Sequence, residues 1–472
     1  MLIITSFTTG LVGCADKQDK AENTEVVSAG DIEGVKLRFA QEKLEDAELK
    51  QTYEEIFADY KKLSGVDVEL EVITGDFPVW LATQHIANNA PDVVVTNYNI
   101  SREDYKKGYV VDLGEYIDNP NPYNDNKPLS QNVRKSLLEE CVDPDSGATT
   151  LLPNSVDGVR IIYNKTAFEK AGIEQVPNTY DEFLEVCQKL QASGITPLGF
   201  ANASDSKSQL GWWMNILLSQ MDAAIVEQMD LDGNGKIQKN EFVAATDKNL
   251  IDFTKEPFSK AYEMLKELVK YCNSDFNSVS EPQGLDLWLG EKVAMTLLIS
   301  PQMKNIKNIE NLGFEYDVMR CPILTEENYD NVTGKAPYIG GSLVNGYIVT
   351  KNEDPKKQAA AIDFVNYMLS PGTVEKLMEK STILPSIDDV SEGNKKWIVS
   401  DSEYPVKASY FSISYFKEFA EYNLLSAQLY LSGELDEEEF LSGLNDEWKA
   451  NCEKAKMENG WSEGNGYKND ES

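Results

Sequence analysis

The chain has 472 residues, enough for two or more hydrophobic cores, because a single core stops growing at roughly 250–300 residues. With 79 acidic against 44 basic residues its net charge is −35, which argues against nucleic acid and other polyanions as partners. Arginine occurs only as Arg38, Arg102, Arg134, Arg160 and Arg320, and since bidentate recognition of carboxylate or phosphate favours Arg, the composition points toward a neutral ligand.

In chain order, an apolar opening ends at Leu11-Val-Gly-Cys14 and is followed by a polar, charged run with the character of a flexible tether. Gly34 to Ala40 reads as a strand and Glu45 to Ser64 as a helix. Val66 to Thr74 alternates as a half-buried strand, Pro78 to Asn88 reads as a short helix, and Pro91 to Thr96 is a β-branched run. Strand, helix, strand, helix, strand predicts a parallel sheet covered by helices, with ligands at the carboxyl ends of the strands. Asn97-Tyr98-Asn99 is expected on such a strand-end loop.

Val159 to Tyr163 is the length of a buried strand. Asn164 or Thr166 can cap the helix that follows, and Gly172 can close it. A second helix starts at the N-cap Thr179, with Glu182 completing a capping box, and places Phe183, Val186, Cys187 and Leu190 on one face until Ser193-Gly194. The Gly-, Asn- and Glu-rich tail from Asn459 to Ser472 is expected to be disordered.

Asp230-Leu-Asp-Gly-Asn-Gly-Lys-Ile-Gln-Lys-Asn-Glu241 fits the twelve-residue EF-hand loop. Asp230, Asp232 and Asn234 would supply side-chain oxygens, Lys236 its carbonyl, Gln238 a water-mediated contact and Glu241 a bidentate carboxylate, with Gly235 at the sharp turn and Ile237 packed inward. A solvated Asp/Asn/Gly turn is the plain alternative, but it has no need of a Glu six residues after the Gly. Helices over 223–229 and 240–245 flank the loop and no second loop pairs with it, so the expectation is a structural Ca2+ clamp.

The string Tyr163-Asn-Lys-Thr-Ala-Phe-Glu-Lys-Ala-Gly172 through Thr196-Pro-Leu-Gly-Phe200 resembles the signature of extracellular solute-binding proteins of carbohydrate ABC importers, the maltose-binding-like family. Pro91-Asp-Val93, the block Leu287-Trp-Leu-Gly-Glu-Lys-Val-Ala-Met-Thr296 and Leu384-Pro-Ser386 follow in that family's order. After Ala294-Met295 the chain reads Leu298-Ile-Ser-Pro-Gln-Met303, without the family's Gly-x-Trp. Leu11 to Cys14 looks like a bacterial lipobox. The resemblance implies an α/β, two-lobed periplasmic-binding-protein-like fold of class II type, each lobe a mainly parallel sheet flanked by helices and the two joined by a multi-strand hinge. It divides the chain into a signal segment 1–14, a tether 15–33, lobe one as 34–157 plus 322–385, lobe two as 158–321 plus 386–458 with the calcium insertion at 223–245, and a tail 459–472. Alginate-binding relatives also carry such a calcium loop.

Sugars lay apolar C–H faces on aromatic rings and give their hydroxyls to amides and carboxylates. The ligand candidates are therefore Trp80, Asn97, Tyr98, Asp157, Trp212, Trp213, Gln302 and Ser342, with Tyr338, Tyr410 and Phe411 behind them. Adjacent helical residues point about 100° apart, so one of Trp212 and Trp213 can face a ligand while the other is buried. Asp157 sits where the family often places a ligand carboxylate.

Six cysteines show neither Cys-x-x-Cys nor zinc spacing, so no disulfide framework is expected. The one histidine, His85, is read as a surface or internally satisfied residue, and no nucleophile or metalloprotease motif is present. The expectation is a monomeric, non-enzymatic receptor on the outer face of the membrane, lipid-anchored through Cys14, that captures a carbohydrate and passes it to ABC permease subunits. A glycoside-active surface enzyme and a non-transport glycan sensor or adhesin remain as alternatives.

Overall fold

The structure, a computed structural model, describes residues 31–44, 47–143, 145–204, 207–233, 237–299, 302, 306, 309, 311–380, 384–391, 403–408, 410 and 415–468. Its first three strands are β1 (Lys36–Glu42), β2 (Asp67–Ile73) and β3 (Val93–Thr96), and β1 pairs in parallel with both of the others. The helix Ala47–Ser64 makes the crossover from β1 to β2 because Tyr53, Ile56, Phe57 and Tyr60 recur at helical spacing and are all buried. On the sheet Phe39 meets Phe57 at 5.3 Å and Phe364 at 5.9 Å, the latter from the distant helix Pro355–Met368. Each large apolar side chain buried there contributes about 1.5–3 kcal/mol, so this aromatic cluster is a main source of the first core's stability.

The remaining strands are β4 (Leu152–Asn164), β5 (Leu198–Gly199), β6 (Met295–Ile299), β7 (Tyr316–Met319), β8 (Ala336–Tyr338), β9 (Gly340–Val349) and β10 (Glu403–Pro405). The order across the main sheet is β2-β1-β3-β9-β4-β6-β5, with β7 also paired to β4. The 13-residue β4 does two jobs. Its first half pairs with β9, Leu152 opposite Tyr347, and its second half pairs with β6 and β7, Ile161 opposite Leu297 and Met319. The register shifts between Pro153 and Gly158 mark the change from one set of partners to the other. Period-two alternation then sends Ile161 into the second core and Ile162 to the opposite face.

Lobe two is built over this second half of β4. Asn164 caps the next helix by accepting from Ala167 N at 2.8 Å, and Thr179 with Glu182 forms the capping box of the helix Tyr180–Ala192. That helix buries Phe183, Val186, Cys187 and Leu190 in the core that also holds Trp213 and Trp448, with Phe183 6.1 Å from Trp213.

The structure moves three boundaries read from the sequence. Residues 322–335, expected in lobe one, hydrogen-bond to lobe two: Ile323 N donates to Asn178 O at 2.9 Å and Thr333 N to Gln220 O at 3.0 Å. Cys321 and Leu324 draw the segment there by entering the second core. Ser386 to Asp388, expected in lobe two, stay in lobe one, where Arg134 N donates to Ser386 O and Ile387 is wholly buried. Residues 459–468 are packed rather than disordered, because Trp461 and Tyr467 bury in the second core and Tyr467 Oη donates to Asp247 Oδ2 at 2.8 Å.

Candidate functional site

The carboxyl end of β3 and the turning point of β4 meet at the junction of the lobes. Thr96 lies opposite Gly346 on β9, and Gly346 lies opposite Pro153 on β4, so Asn97, Asn345 and Ser155 follow together where β3 ends, on neighbouring interior strands. Gly346 permits this approach: a Cβ there would stand 2.1 Å from Leu151 Cδ1 and 2.5 Å from Leu152 O. Asn97 is exposed and serves as N-cap of the helix Tyr98–Lys106, its side chain accepting from Ile100 N at 3.1 Å. A helix thus starts where a loop was expected, because Asn at this position satisfies an orphan N–H.

The other sequence-derived ligand candidates divide by what holds them. Tyr98 is half-buried, and its hydroxyl donates to Val142 O at 3.0 Å; burial raises its pKa. Trp80 packs against Phe77 with ring centres 5.7 Å apart and tilted, and is partly buried. Trp213 is wholly buried beside Phe183 and leaves the ligand set, whereas Trp212 on the same helix is half-buried. Gln302 lies just beyond β6, accepting from Ile299 N at 3.2 Å and donating to Glu281 Oε1 at 3.4 Å. Asp157 and Ser342 are placed by backbone alone, on β4 and β9, their side chains lying outside the described set. Phe411 and Cys14 lie outside the described residues. Tyr410 is a core residue.

Sequence reasoning missed the charged joint beneath this junction. Arg160, two residues beyond Gly158 on β4, pairs with Glu403 of β10 at 3.1 Å, with both side chains no more than 2% exposed. Its guanidinium carbon stands 4.9 Å from the centre of the Tyr338 ring on β8. From lobe one, Arg134 reaches the Tyr338 hydroxyl, the Pro385 carbonyl and, at 3.7 Å, Asp388; burial pulls its pKa down, the like charge of Arg160 adds to the shift, and Tyr338 and Asp388 oppose it. Gly158 is needed for the fit, since a Cβ there would lie 2.6 Å from Tyr338 Oη. Residues this far apart in the chain leave no local pattern. Only the scarcity of Arg could have drawn notice to two of its members.

The calcium-type loop lies elsewhere in lobe two. Carboxylate oxygens of Asp230, Asp232 and Glu241 come within 4.8 Å of one another, and hard oxygen donors of this kind suit Ca2+. Glu241 is buried and ties the loop's ends together: its oxygens accept from Leu231 N at 2.6 Å and Gln238 N at 2.8 Å. Burial raises the Glu241 pKa, those N–H groups oppose the shift, and Asp232 and Asp230 add to it. Ile237 is 4% exposed in the core, and the flanking helices run Ala223–Met229 and Lys239–Asp247. Gln238 is the N-cap of the second of these, and Asn234 and Lys236 lie outside the described residues. The carboxylates present fit the ion.

His85 is buried, stacked on Tyr109 at 4.7 Å with its Nε2 3.3 Å from Asp104, a structural placement. No disulfide joins the described cysteines, and burial pushes the Cys187 thiol up to about 12, which keeps it inert. No described helix is long and apolar enough to cross a membrane.

Two helix-flanked sheet regions sharing one strand, with polar groups where they meet, define a two-lobed binding protein. The chain belongs to the bacterial extracellular solute-binding protein family, whose model matches residues 46–375. Members are binding proteins rather than enzymes. Among solved structures, a probable secreted solute-binding lipoprotein from Streptomyces coelicolor is similar with a TM-score of 0.64 at 16% identity, covering 88% of this chain and 98% of that one. RafE from Streptococcus pneumoniae gives 0.60 at 19% identity over 89% and 98%. The cyclic alpha-maltosyl-1,6-maltose binding protein from Arthrobacter globiformis gives 0.57 at 18% identity over 89% and 99%. No curated protein matches by sequence.

Proposed function

We propose that the chain is a lipid-anchored extracellular receptor that closes on a neutral oligosaccharide and delivers it, unaltered, to the permease subunits of an ABC importer. The observation that carries this reading is the sharing of β4 between the lobes, with Asn97, Asn345 and Ser155 together where β3 ends and β4 changes partners. A hinge of a few strands permits domain closure around a ligand held there. Asn97 and Asn345 offer amide groups suited to sugar hydroxyls, and half-buried Trp212 is the aromatic on lobe two that suits a C–H face. Proteins of similar fold include binders of a cyclic maltosyl-maltose and of chitin oligosaccharides, which supports the ligand class.

Two further parts belong to the proposal. Asp230, Asp232 and Glu241, with Asn234, Lys236 and Gln238, would hold a structural Ca2+, whose charge would offset the gathered carboxylates. Cys14 would carry the lipid, and acylation there, together with the chains such an anchor adds, would hold the receptor on the membrane; Cys14→Ser should move the protein from the membrane fraction to the supernatant.

The ligand class is tested by a thermal-shift panel of neutral glycans, uronate glycans, amino acids and peptides. Neutral glycans alone should raise the melting temperature. A response confined to amino acids or peptides would overturn the carbohydrate reading, and one confined to uronates would overturn its neutral part.

A further inference from the structure

We propose that the carboxy-terminal segment 460–468 and the calcium loop act as one unit, the docked segment raising calcium affinity and bound calcium holding the segment in place; this rests on the calcium reading above. The element they share is the helix Lys239–Asp247. Its first turn carries Glu241, whose carboxylate closes the loop by accepting from Leu231 N and Gln238 N. Asp230 and Asp232 bring carboxylate oxygens to within 4.8 Å of it, and Glu241 is the most buried of the three. Any movement of that first turn therefore moves the carboxylate on which the loop is closed.

The segment grips this helix at both ends through one residue. Asn240 Nδ2, next to Glu241, donates to the Tyr467 carbonyl at 3.1 Å, and the Tyr467 hydroxyl donates to Asp247 Oδ2 at 2.8 Å. Asn240 and Asp247 are about two turns apart, so they lie on one face of the helix, and Tyr467 spans that face while only 4% exposed. Trp461 anchors the start of the segment in the same core. Between them Asn465 folds the segment on itself: its Oδ1 accepts from Ser462 N at 2.9 Å and Tyr467 N at 3.1 Å, and its Nδ2 donates to Gly460 O at 2.9 Å. Tyr467 holds a φ of +57°, which a non-glycine residue keeps only where its surroundings fix it. The two bonds to the helix help to fix it.

The inner face of the helix is held by the core instead. Phe242 packs against Tyr410, Tyr415 and Trp448 with ring centres 5.6, 5.8 and 5.8 Å away, and Thr246 Oγ1 accepts from Trp448 Nε1 at 2.8 Å. Beside Glu241 the first turn keeps Lys239 and Asn240 partly exposed, and the described bond that joins this turn to the segment is the one from Asn240 to Tyr467. Like charges gathered without a cation push on Glu241, and so on the Asn240 bond; a bound cation removes that push. Coupling of this kind is reciprocal, so docking raises calcium affinity by the factor by which calcium favours docking. Calcium in the medium then sets how firmly this end of lobe two is held.

The test uses the full chain and calcium chloride. Isothermal titration compares wild type with Tyr467→Ala and Tyr467→Phe, and hydrogen exchange of residues 460–468 is followed in wild type with calcium and with chelator. Tyr467 lies outside the loop, and the phenylalanine variant keeps the buried ring and loses only the hydroxyl bond to Asp247. The expected result is a calcium affinity about fivefold or more lower in Tyr467→Ala and a smaller loss in Tyr467→Phe. Calcium should slow exchange in 460–468 by a similar factor, while the helix Ala47–Ser64 of lobe one exchanges alike in both conditions. Calcium binding of equal strength in all three chains, or exchange in 460–468 indifferent to calcium, overturns the coupling and leaves the calcium reading in place. A wild-type chain that takes up no calcium overturns both.

Discussion

The joint at Arg160 and the loop at Asp230 to Glu241 each hold at least one buried charged side chain, Arg160 and Glu403 in the first and Glu241 in the second, and they balance charge differently. At the joint each charge meets its opposite within the chain: Arg160 with Glu403, Arg134 with Asp388, and Tyr338 between the two arginines. In the loop, three carboxylates converge and repel one another. The first arrangement is complete in the polypeptide, so it can define the geometry of a hinge by itself. In the second, the cation proposed above would offset the gathered carboxylates, which would make its stability a function of the medium. A third case stands nearby: Asp222, 2% exposed, has neither opposite charge nor like-charged companions as its main influence, and burial itself raises its pKa to about 7.

The largest effect should come from breaking the joint on one side. Arg160→Met leaves Glu403 buried without its cation and should cost about 3–5 kcal/mol in urea unfolding. Adding Glu403→Leu should recover part of that loss, because the stranded charge is then gone. A double variant no better than the single one would show that the pairing is not what the arginine supplies.

Next in size is the contact that brings the crossing strands together. Gly158→Ala places a methyl against the Tyr338 hydroxyl and ring, an overpacking worth about 1–3 kcal/mol. Tyr338→Phe in the same chain removes the nearest clashing atom and should give some of it back. If Gly158→Ala proves neutral, β4 and β8 are not packed as described.

Asp222 separates burial from charge pairing. Its folded pKa is above the ordinary carboxylate value, so its favourable contribution is fully present below about pH 4 and is lost as pH rises through about 7. Asp222→Asn should flatten stability over that window. Parallel pH profiles for variant and wild type would contradict the assignment.

The smallest effect belongs to the loop. Calcium at ten times its dissociation constant should add about 1.4 kcal/mol, seen as a higher melting temperature that a chelator reverses. Glu241→Gln should remove the response. A melt unchanged by both calcium and chelator counts against the site.

The same contrast explains what could be read from the chain. The gathering of Asp230, Asp232 and Glu241 was legible because they lie within twelve consecutive residues, and the strands and helices of lobe one because Phe39, Tyr53, Phe57 and Val93 follow local periods. Thr179 and Glu182 announced their capping box three residues apart. The joint was hidden because Arg134, Arg160, Tyr338 and Glu403 become neighbours only after the chain has crossed between lobes. The tail misled for a related reason: its Gly, Asn and Glu residues dominate the composition, but Trp461 and Tyr467 decide its place by docking beside the helix Lys239–Asp247. For Trp212 and Trp213 the helical period showed that one could be buried, and the core around Phe183 selected Trp213.

The central claim is that the lobes close on a neutral oligosaccharide and release it unchanged. Isothermal titration of the whole chain with the glycan that raises its melting temperature, followed by chromatography of the recovered ligand and small-angle X-ray scattering with and without it, tests this directly. The account predicts saturable binding, a smaller radius of gyration in the complex and an intact ligand. Heat only with amino acids or peptides, or recovery of shortened glycans with new reducing ends, would contradict it.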